Sequence, residues 1–265
     1  MSGASVPLQE IARYLDGYLS VTEVPDDPNA LNGLQVENQG TIRRIVAAVD
    51  ASLATIEATA PVGRSPAGTL LVVHHGLFWD GNRPLTGRRF RRIRALLDRD
   101  VALYSAHIPL DVHPEVGNNA ILARKLGLEH PVRFGDYRGI PIGVAGSLPG
   151  ADVSREALCA LVERATGNTA GAVRLIPGGS EIVRRVGVIT GAAGNMINAA
   201  REAGCDTFIT GEGAAHTYFD AMEWGLNVIY AGHYATETVG VQALGSHLSE
   251  RFDLPWEFHD HPTGM

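Results

Sequence analysis

The sequence predicts an α/β fold, because strand-like and helix-like hydrophobic patterns alternate along nearly the whole chain. Several strand-like segments are apolar throughout, which is typical of strands covered on both faces of a sheet. The segments between them are short, and no low-complexity linker interrupts them. A chain of 265 residues with this pattern is expected to form one large domain or two interlocked lobes.

The predicted elements follow the apolar residues in chain order. The predicted strands are 44–50, 68–75, 102–108, 139–146, 172–176, 184–190, 206–212, 227–233 and a short WEFHD segment near the end. Apolar residues at i, i+3 and i+4 predict amphipathic helices over 8–19, 88–98, 118–128, 155–165 and 238–248.

Composition excludes several classes of protein. The formal net charge of −7 argues against a general nucleic-acid binder and against an anionic-membrane binder. Cys159 and Cys205 are too few for a disulfide framework and are interpreted as buried thiols in a reducing compartment. We see no basic segment followed by an apolar run at the start, and no apolar stretch of about 20 residues. A soluble, cytoplasmic protein is therefore expected.

A weak internal repeat relates two parts of the chain. RRIVAAVDASLATIEATA (43–60) aligns with RRVGVITGAAGNMINAAR (184–201), and GTLLVVHHG aligns with CDTFITGEG. ALYSAHIPLD then aligns with NVIYAGHYATE, and each places a histidine at a strand end with a carboxylate four residues later. Chance similarity among α/β units explains the first two pairs, but less easily the third. A real repeat predicts two halves related by a pseudo-two-fold, with their polar strand ends facing each other.

Three segments carry the residues best suited to chemistry. His74 and His75 end an apolar strand before a glycine; alone, this pair is more often a pair of core histidines. HIPLD adds His107 and Asp111, and HYATE adds two more side chains. If HYATE begins the last helix, the i,i+4 spacing places both of its polar side chains, His233 and Glu237, on one helix face. Each segment alone could be a capping or turn device.

Together these segments favour a metal site over capping. Ligand sites in open α/β sheets lie at the carboxyl ends of strands. Imidazole and carboxylate suit Zn, Mn, Fe or Ni, and the lack of cysteine argues against a structural zinc site. Five or more N and O ligands exceed the need of one tetrahedral ion, so we predict that these three segments hold two divalent ions.

Two further segments allow alternatives. Glu212 and His216 of TGEGAAH fit a helix start, or a pair aimed at the metals that acts as general acid/base or supports the ligands. The basic run RRFRRIR (88–94) has Phe90, Ile93 and Leu97 at helical spacing beneath it. A solvated helix face is the usual explanation, and a basic rim that steers an anionic substrate is the alternative.

The motifs resemble those of a known family, the dinuclear metal-centre hexameric proteins. This family is NGG-interacting-factor-like and is often labelled GTP cyclohydrolase I type 2 homologs. The resemblance runs nearly end to end and matches the short form of the family. It rests on NGLQV (32–36), VVHHG (72–76), SAHIPLD (105–111), GNNAILARKLGL (117–128), DTFITGE (206–212) and GHYATETVGVQAL (232–244).

The resemblance implies two related, intertwined α/β lobes with the metal site between them. It implies one lobe of about 1–126 together with about 229–265, a second lobe of about 127–228, and a homo-hexamer. On the family's pattern the metal ligands carry over to His74, His75, Asp111, His233 and Glu237. His107 matches a further histidine near the site, which is either a ligand or a support for one, and Glu212 matches the TGE segment. The family's GHHATE reads GHYATE here, which places Tyr234 where an imidazole is usual.

The resemblance also implies a function. We expect a metal-dependent hydrolase that acts on a small anionic substrate such as GTP or a related nucleotide, with Glu212, His216 and His107 as catalytic candidates. A phosphoesterase unrelated to GTP would use the same ligands. The alternative from another class is a metal-binding hexameric scaffold, regulator or metallochaperone without turnover.

Overall fold

The computed structural model describes residues 4–59, 68–150, 153–169 and 171–264. The strands in these residues are β1 Val6–Pro7, β2 Gly33–Val36, β3 Thr41–Ile42, β4 Arg44–Asp50, β5 Thr69–His75, β6 Val101–Ser105, β7 Glu129–Tyr137, β8 Ile140–Ser147, β9 Val153–Ser154, β10 Arg174–Pro177, β11 Ile182–Val183, β12 Arg185–Val188, β13 Thr207–Thr210, β14 Asn227–Tyr230 and β15 Trp256–Phe258. The helices are α1 Leu8–Tyr18, α2 Leu53–Thr59, α3 Gly87–Asp98, α4 Ile108–Asp111, α5 Asn118–Lys125, α6 Arg155–Thr166, α7 Ile197–Glu202, α8 Thr217–Trp224 and α9 His233–Phe252.

The mixed α/β class is confirmed, and every predicted strand and helix corresponds to an observed element. Helix α9 begins at His233, so HYATE forms its first turn as the spacing required. The prediction that Phe90, Ile93 and Leu97 form the buried face of α3 is wrong in part, because the exposed fractions of Phe90 and Leu97 are 46% and 61%. Ala95 and Leu96 are the residues of α3 that are buried. No helix among the described residues is long and apolar enough to cross a bilayer.

The chain divides into two compact units. The first unit contains the residues up to Leu110 together with Val241–His261, and the second contains Asp111–Gly240 and the residues after His261. The lobe boundaries expected from the resemblance stay a prediction.

The first unit contains a five-stranded sheet in the order β15-β4-β5-β6-β2. Strands β4, β5 and β6 are parallel, β15 is parallel to β4, and β2 is antiparallel to β6. One core cluster packs this sheet against α2 and α3. It contains Val46, Ala48, Ala51, Ile56, Leu71, Val73, Leu77, Ala95, Leu96, Val101 and Leu103. Burial of these side chains is the main source of stability for the unit.

The second unit contains a six-stranded sheet in the order β10-β14-β13-β12-β8-β7. Strands β12, β13 and β14 are parallel, while β8 and β10 join them in antiparallel fashion. Its core packs α5 and α6 on the sheet through Leu122, Leu126, Leu148, Leu158, Val162, Ala165, Val183, Val186, Val188, Ile209, Ile229 and Ala231.

The internal repeat holds at the level of strand order. The three segments of its first copy form the adjacent parallel strands β4, β5 and β6, and those of its second copy form β12, β13 and β14. Ala60, at the end of the first aligned segment, lies outside the described residues. Because parallel strands end at the same edge of a sheet, each copy gathers its polar strand ends at one edge.

Candidate metal centre

Three histidines of the first unit lie together at the carboxyl edge of its sheet. His74 and His75 end β5, and His107 follows β6, the strand beside it. One ring nitrogen of each histidine lies within 4.8 Å of the others. The rings of the neighbouring His74 and His75 are 4.7 Å apart between centroids, so the strand end does place both on one site. These histidines form a group that could hold a metal ion.

Each of these rings is oriented through its Nδ1 atom. Nδ1–H of His74 donates to the Ala106 carbonyl at 2.9 Å, and that of His75 donates to Asp50 Oδ1 at 2.9 Å. Nδ1–H of His107 donates to Asp26 Oδ1 at 2.8 Å. A histidine that donates from Nδ1 carries its lone pair on Nε2, which is how metal-bound histidines are normally held.

Asp26 is the buried centre of a small polar network around His107. Its Oδ2 atom accepts hydrogen bonds from Asn32 Nδ2 at 2.8 Å and from the Ile108 backbone N–H at 2.9 Å. Burial alone would raise the pKa of Asp26, but the hydrogen bond and charge of His107 outweigh it and hold this pKa below its ordinary value. Asp26 is therefore a carboxylate, and it orients His107 while the Asn32 side chain also accepts from the His107 backbone N–H.

Trp79 closes one side of the histidine group. Its ring meets the His107 ring edge to face with centroids 4.8 Å apart, and the His75 ring at 6.1 Å. This aromatic wall limits the rotamers of both imidazoles and lowers the local polarity around them.

The second unit places His233 and Glu237 on the first turns of α9. His233 Nε2 lies 3.2 Å from Glu237 Oε1, and its Nδ1–H donates to Glu212 Oε1 at 2.7 Å. Glu237 is buried, with 2% of its surface exposed. The i,i+4 spacing on a helix produces this pairing directly.

These carboxylates control the protonation of His233. Burial alone would lower the pKa of His233, but the hydrogen bonds and charges of Glu237 and then Glu212 raise it to about 9. This pKa lies above the ordinary histidine value, so the ion pairs stabilise the metal-free fold in full below about pH 6.5, and that stabilisation is lost as the pH rises through about 9. A divalent ion held by His233 would have to displace this proton.

The turn after β12 leaves no room for a side chain beside this pair. Gly191 has φ +70°, and a Cβ atom there would lie 2.4 Å from Glu237 Oε1 and 3.4 Å from His233 Nε2. A glycine is needed both for the left-handed backbone and for the close approach. The GAAGNM segment (191–196) thus forms a wall of the His233–Glu237 pair.

Asp111 is fixed within the same unit. It is 7% exposed, and its Oδ1 atom accepts from Asn118 Nδ2 at 2.8 Å and from the Thr190 hydroxyl at 3.3 Å. Asn118 in turn accepts from the Gly240 backbone N–H at 2.8 Å. A buried carboxylate held by neutral donors keeps its orientation for a cation.

The three predicted catalytic residues have different surroundings. His107 belongs to the histidine group of the first unit, and Glu212 holds Nδ1 of His233. His216 is exposed at the start of α8, where its carbonyl accepts from the Phe219 backbone N–H at 3.0 Å. Glu212 and His216 also line one open cavity of about 360 Å³ in the second unit. Their part in catalysis stays a prediction.

Sequence reasoning missed Asp50 and Asp26, two of the three carboxylates that hold the histidines, although it did single out Glu212. Asp50 could have been found, because it ends β4 and pairs directly with His75 in the parallel register of β4 and β5. Asp26 gave no local signal, since it lies in a loop and reaches His107 across 81 positions of sequence. Contacts of that kind depend on the tertiary fold.

The fold and these side chains define an α/β protein with a candidate metal centre of nitrogen and oxygen donors. The donors suit Zn, Mn, Fe or Ni, and the two cysteines, Cys159 and Cys205, lie outside the set. The chain belongs to the Duf34/NIF3 (NGG1p interacting factor 3) family, whose model matches residues 6–263.

Curated relatives of similar length share much of the sequence. The GTP cyclohydrolase 1 type 2 homolog of Deinococcus radiodurans is 45% identical over 258 residues, covering 97% of this chain and 94% of that protein. The protein with the same name in Pyrococcus abyssi is 42% identical, covering 97% and 99%.

Solved structures share the fold over the whole chain. The protein TTHA1606 from Thermus thermophilus superposes with a TM-score of 0.84 at 40% identity, covering 98% of this chain and 100% of that one. A protein titled ybgI, of unknown function, gives a TM-score of 0.86 at 35% identity with the same coverage.

Proposed function

We propose that this protein is a divalent-metal-dependent hydrolase that acts on a small anionic substrate, with a nucleotide as the first candidate. Its ligands would be His74, His75, Asp111, His233 and Glu237, and they would hold two ions per chain. The name GTP cyclohydrolase 1 type 2 homolog, which the relatives carry, supports a nucleotide as the substrate.

One observation carries the proposal. Each of the four histidines His74, His75, His107 and His233 has its Nδ1–H bound to a carbonyl or carboxylate oxygen, at 2.7 to 2.9 Å. A core histidine needs one such partner, but four histidines that are all oriented through Nδ1 by carbonyl or carboxylate oxygens are typical of metal sites. Nitrogen and oxygen donors in this number fit divalent transition metals.

The chain's own residues would prepare the reaction around the metals. Bound divalent ions supply Lewis-acid charge and lower the pKa of water. Asp50 and Asp26 hold the imidazoles of His75 and His107, so that these rings need not reorient when substrate arrives. Glu212 and His216 line one cavity and would take or give a proton there.

Metal content and hydrolysis test the proposal together. Protein purified without chelator is analysed for its elements, then loaded with Zn, Mn, Fe or Ni and offered GTP, other nucleotides and simple phosphoesters. We expect at least about one ion per chain, and release of formate or phosphate. His75→Ala and Glu237→Gln should abolish turnover while native mass and helical content stay unchanged.

Two results would contradict the proposal. A content of less than about one metal ion per chain would contradict the presence of a metal centre. Full metal loading with no turnover of any substrate would contradict the hydrolase and favour the alternative, a metal-binding scaffold. For a scaffold, binding of partner proteins should depend on the oligomeric state and not on catalytic activity.

A further inference from the structure

A cavity of about 390 Å³ lies in the first unit, between the loop that precedes β2 and the loop that joins β5 to α3. Its volume is in the range of pockets that hold small molecules. Both apolar and polar side chains line it, and those that decide its chemistry are Asn29, Leu31, Phe78, Asn82 and Leu85.

The two loops that form this cavity also form part of the histidine group. Asn32, the neighbour of Leu31, accepts the His107 backbone N–H at 2.7 Å. Trp79, the neighbour of Phe78, meets the His107 ring with centroids 4.8 Å apart. On each loop, consecutive residues therefore line the cavity and contact His107, so the cavity adjoins the histidine group.

Gln35 fastens the two loops to each other. Its Nε2 donates to the carbonyls of Ala30 and Leu31 at 3.2 and 2.9 Å, and its Oε1 accepts the Leu77 backbone N–H at 2.8 Å. One side chain thus holds both walls of the cavity through three hydrogen bonds to backbone groups. A pocket whose walls are fixed in this way loses little entropy when a ligand enters.

Arg89 fixes the loop between β5 and α3 from its other end. Its guanidinium donates to the carbonyls of Arg83 and Gly81, both at 2.7 Å. It also lies over the Phe78 ring, 5.1 Å from the centroid, and so holds the aromatic part of the cavity wall in place.

Two leucines give the cavity an exposed apolar lining. Leu31 is 51% exposed and has φ +44°, a left-handed conformation that leucine rarely adopts because its Cβ crowds the following carbonyl. Leu85, on the opposite loop, is 56% exposed. Backbone strain of this kind is concentrated at sites that clamp ligands, and exposed leucines that line one cavity are explained by a ligand that covers them.

Two carboxamides give the same cavity its polar groups. Among the described residues, no hydrogen bond joins the side chain of Asn29 or of Asn82 to another residue. A Cβ atom on Gly81 would lie 3.3 Å from Asn29 Oδ1, so the two loops approach closely where these amides lie. A carboxamide offers a donor and an acceptor side by side, the arrangement that pairs with the edge of a nucleobase.

We propose that this cavity binds the heteroaromatic base of the nucleotide substrate. Leu31 and Leu85 would pack against the ring, and Asn29 and Asn82 would hydrogen-bond to its edge. The inference rests on the proposed function, because it names the part of the substrate that is held while another part reacts at the neighbouring histidine group.

Binding of nucleosides by the full chain tests this inference without any metal or phosphate. Guanosine, adenosine and ribose 5-phosphate are titrated by equilibrium dialysis into chelated wild type, L85A, N82A and L97A. L97A is the matched control, because Leu97 is 61% exposed in the same unit and lies outside the cavity lining. Thermal melting of each variant checks that it is folded.

We expect wild type to bind the nucleosides and not ribose 5-phosphate. L85A should bind nucleosides at least about fivefold more weakly through lost apolar contact, and N82A about two- to tenfold more weakly through a lost hydrogen bond. L97A should stay within about twofold of wild type. N82A decides the matter if L85A does not fold.

Three results would overturn the inference. They are the absence of nucleoside binding by wild type, ribose 5-phosphate binding as tight as that of the nucleosides, and affinities of L85A and N82A equal to that of L97A.

The outcome is separable from that of the proposed function. Nucleotide turnover by wild type with an unchanged KM in L85A and N82A would overturn only the base site. Nucleoside binding that depends on Leu85 and Asn82, without turnover of any nucleotide, would leave the base site standing and count against the hydrolase.

Discussion

A variant of Asp50 tests the residue that supports a predicted metal ligand while the ligand itself, His75, stays in place. It accepts the Nδ1–H of His75 at 2.9 Å, and asparagine has nearly the same shape without the charge. We predict that Asp50→Asn lowers metal affinity by about 10- to 100-fold, because the neutral amide orients and polarises the imidazole less well. Competition with a chelator of known affinity measures the change.

The control for this variant is Asp98→Asn. Asp98 pairs with Arg94 on the exposed face of α3, so its loss changes the net charge equally and leaves the histidines untouched. Equal metal affinities of the two variants would show that Asp50 does not support a ligand.

The reactivity of the two cysteine thiols, Cys159 and Cys205, is expected to depend on pH. Burial raises the pKa of Cys159 and of Cys205 to about 11, so both are almost fully protonated at pH 7.5. We expect slow alkylation by iodoacetamide at pH 7.5 that accelerates roughly tenfold per pH unit, and fast reaction at both sites in concentrated urea. Fast modification of the folded protein at pH 7.5 would mean that a thiolate forms at neutral pH.

Alanine substitutions at two helical glycines are expected to change the free energy of unfolding in opposite directions. A Cβ atom on Gly245 of α9 would lie 2.5 Å from the Trp256 ring and 3.2 Å from Ala47 Cβ, whereas one on Gly17 of α1 would meet nothing within 4 Å. Gly245→Ala should lower the free energy of unfolding by about 1–3 kcal/mol through overpacking. Gly17→Ala should raise it by about 0.5–1 kcal/mol, because alanine is the better helix former.

Urea denaturation of both variants beside wild type checks this pair. A stabilising Gly245→Ala would mean that α9 does not lie close to β15 and β4. A destabilising Gly17→Ala would mean that the exposed end of α1 carries a contact.

Sequence patterns predicted the elements with a strong apolar period and missed those without one. β4 is apolar at every inner position, and Ile45, Val46 and Val49 are all at most 1% exposed. β7 was missed because its first five residues are exposed and its pairing is to β8 alone, at the edge of the sheet. An edge strand has no covered faces to impose an apolar pattern.

The same contrast applies to the candidate site. Among the predicted metal ligands, His74 and His75 end β5, Asp111 ends the short helix α4, and His233 and Glu237 lie in the first turns of α9. Chain order alone predicts the proximity within the histidine pair and within the helix pair. The residues that hold His107 and Asp111, which are Asp26 and Asn118, come from a loop and from a helix start, at positions that only the folded backbone brings near. Composition and spacing carry no information about such contacts.

At the scale of the whole molecule, α8 exposes an apolar surface. Phe219 is 62% exposed, and Tyr218, Met222 and Trp224 are 45%, 43% and 40% exposed. Patches of this kind are usually covered by another protein surface. We predict that the native mass is that of six copies of the 28.2 kDa chain, the number the family resemblance implies.

Sedimentation at several concentrations measures this mass. Phe219→Asp should lower it, while Glu223→Gln on the same helix should not, because Glu223 is exposed and contributes no apolar area. A wild-type monomer would contradict the expectation, and an unchanged mass of Phe219→Asp would exclude α8 from the contact.

The Nδ1 hydrogen bonds of the four histidines imply that the chain folds before it binds metal. Their partners, the Ala106 carbonyl and the carboxylates of Asp50, Asp26 and Glu212, belong to the folded protein itself. The conformational entropy of ordering the imidazoles is thus lost during folding, before any ion arrives. The site is preorganised, so chelation should empty it without melting the chain, in contrast to zinc fingers, which unfold when they lose their metal. Circular dichroism spectra that stay superimposable while metal is removed and restored would be the signature of such a rigid receptor.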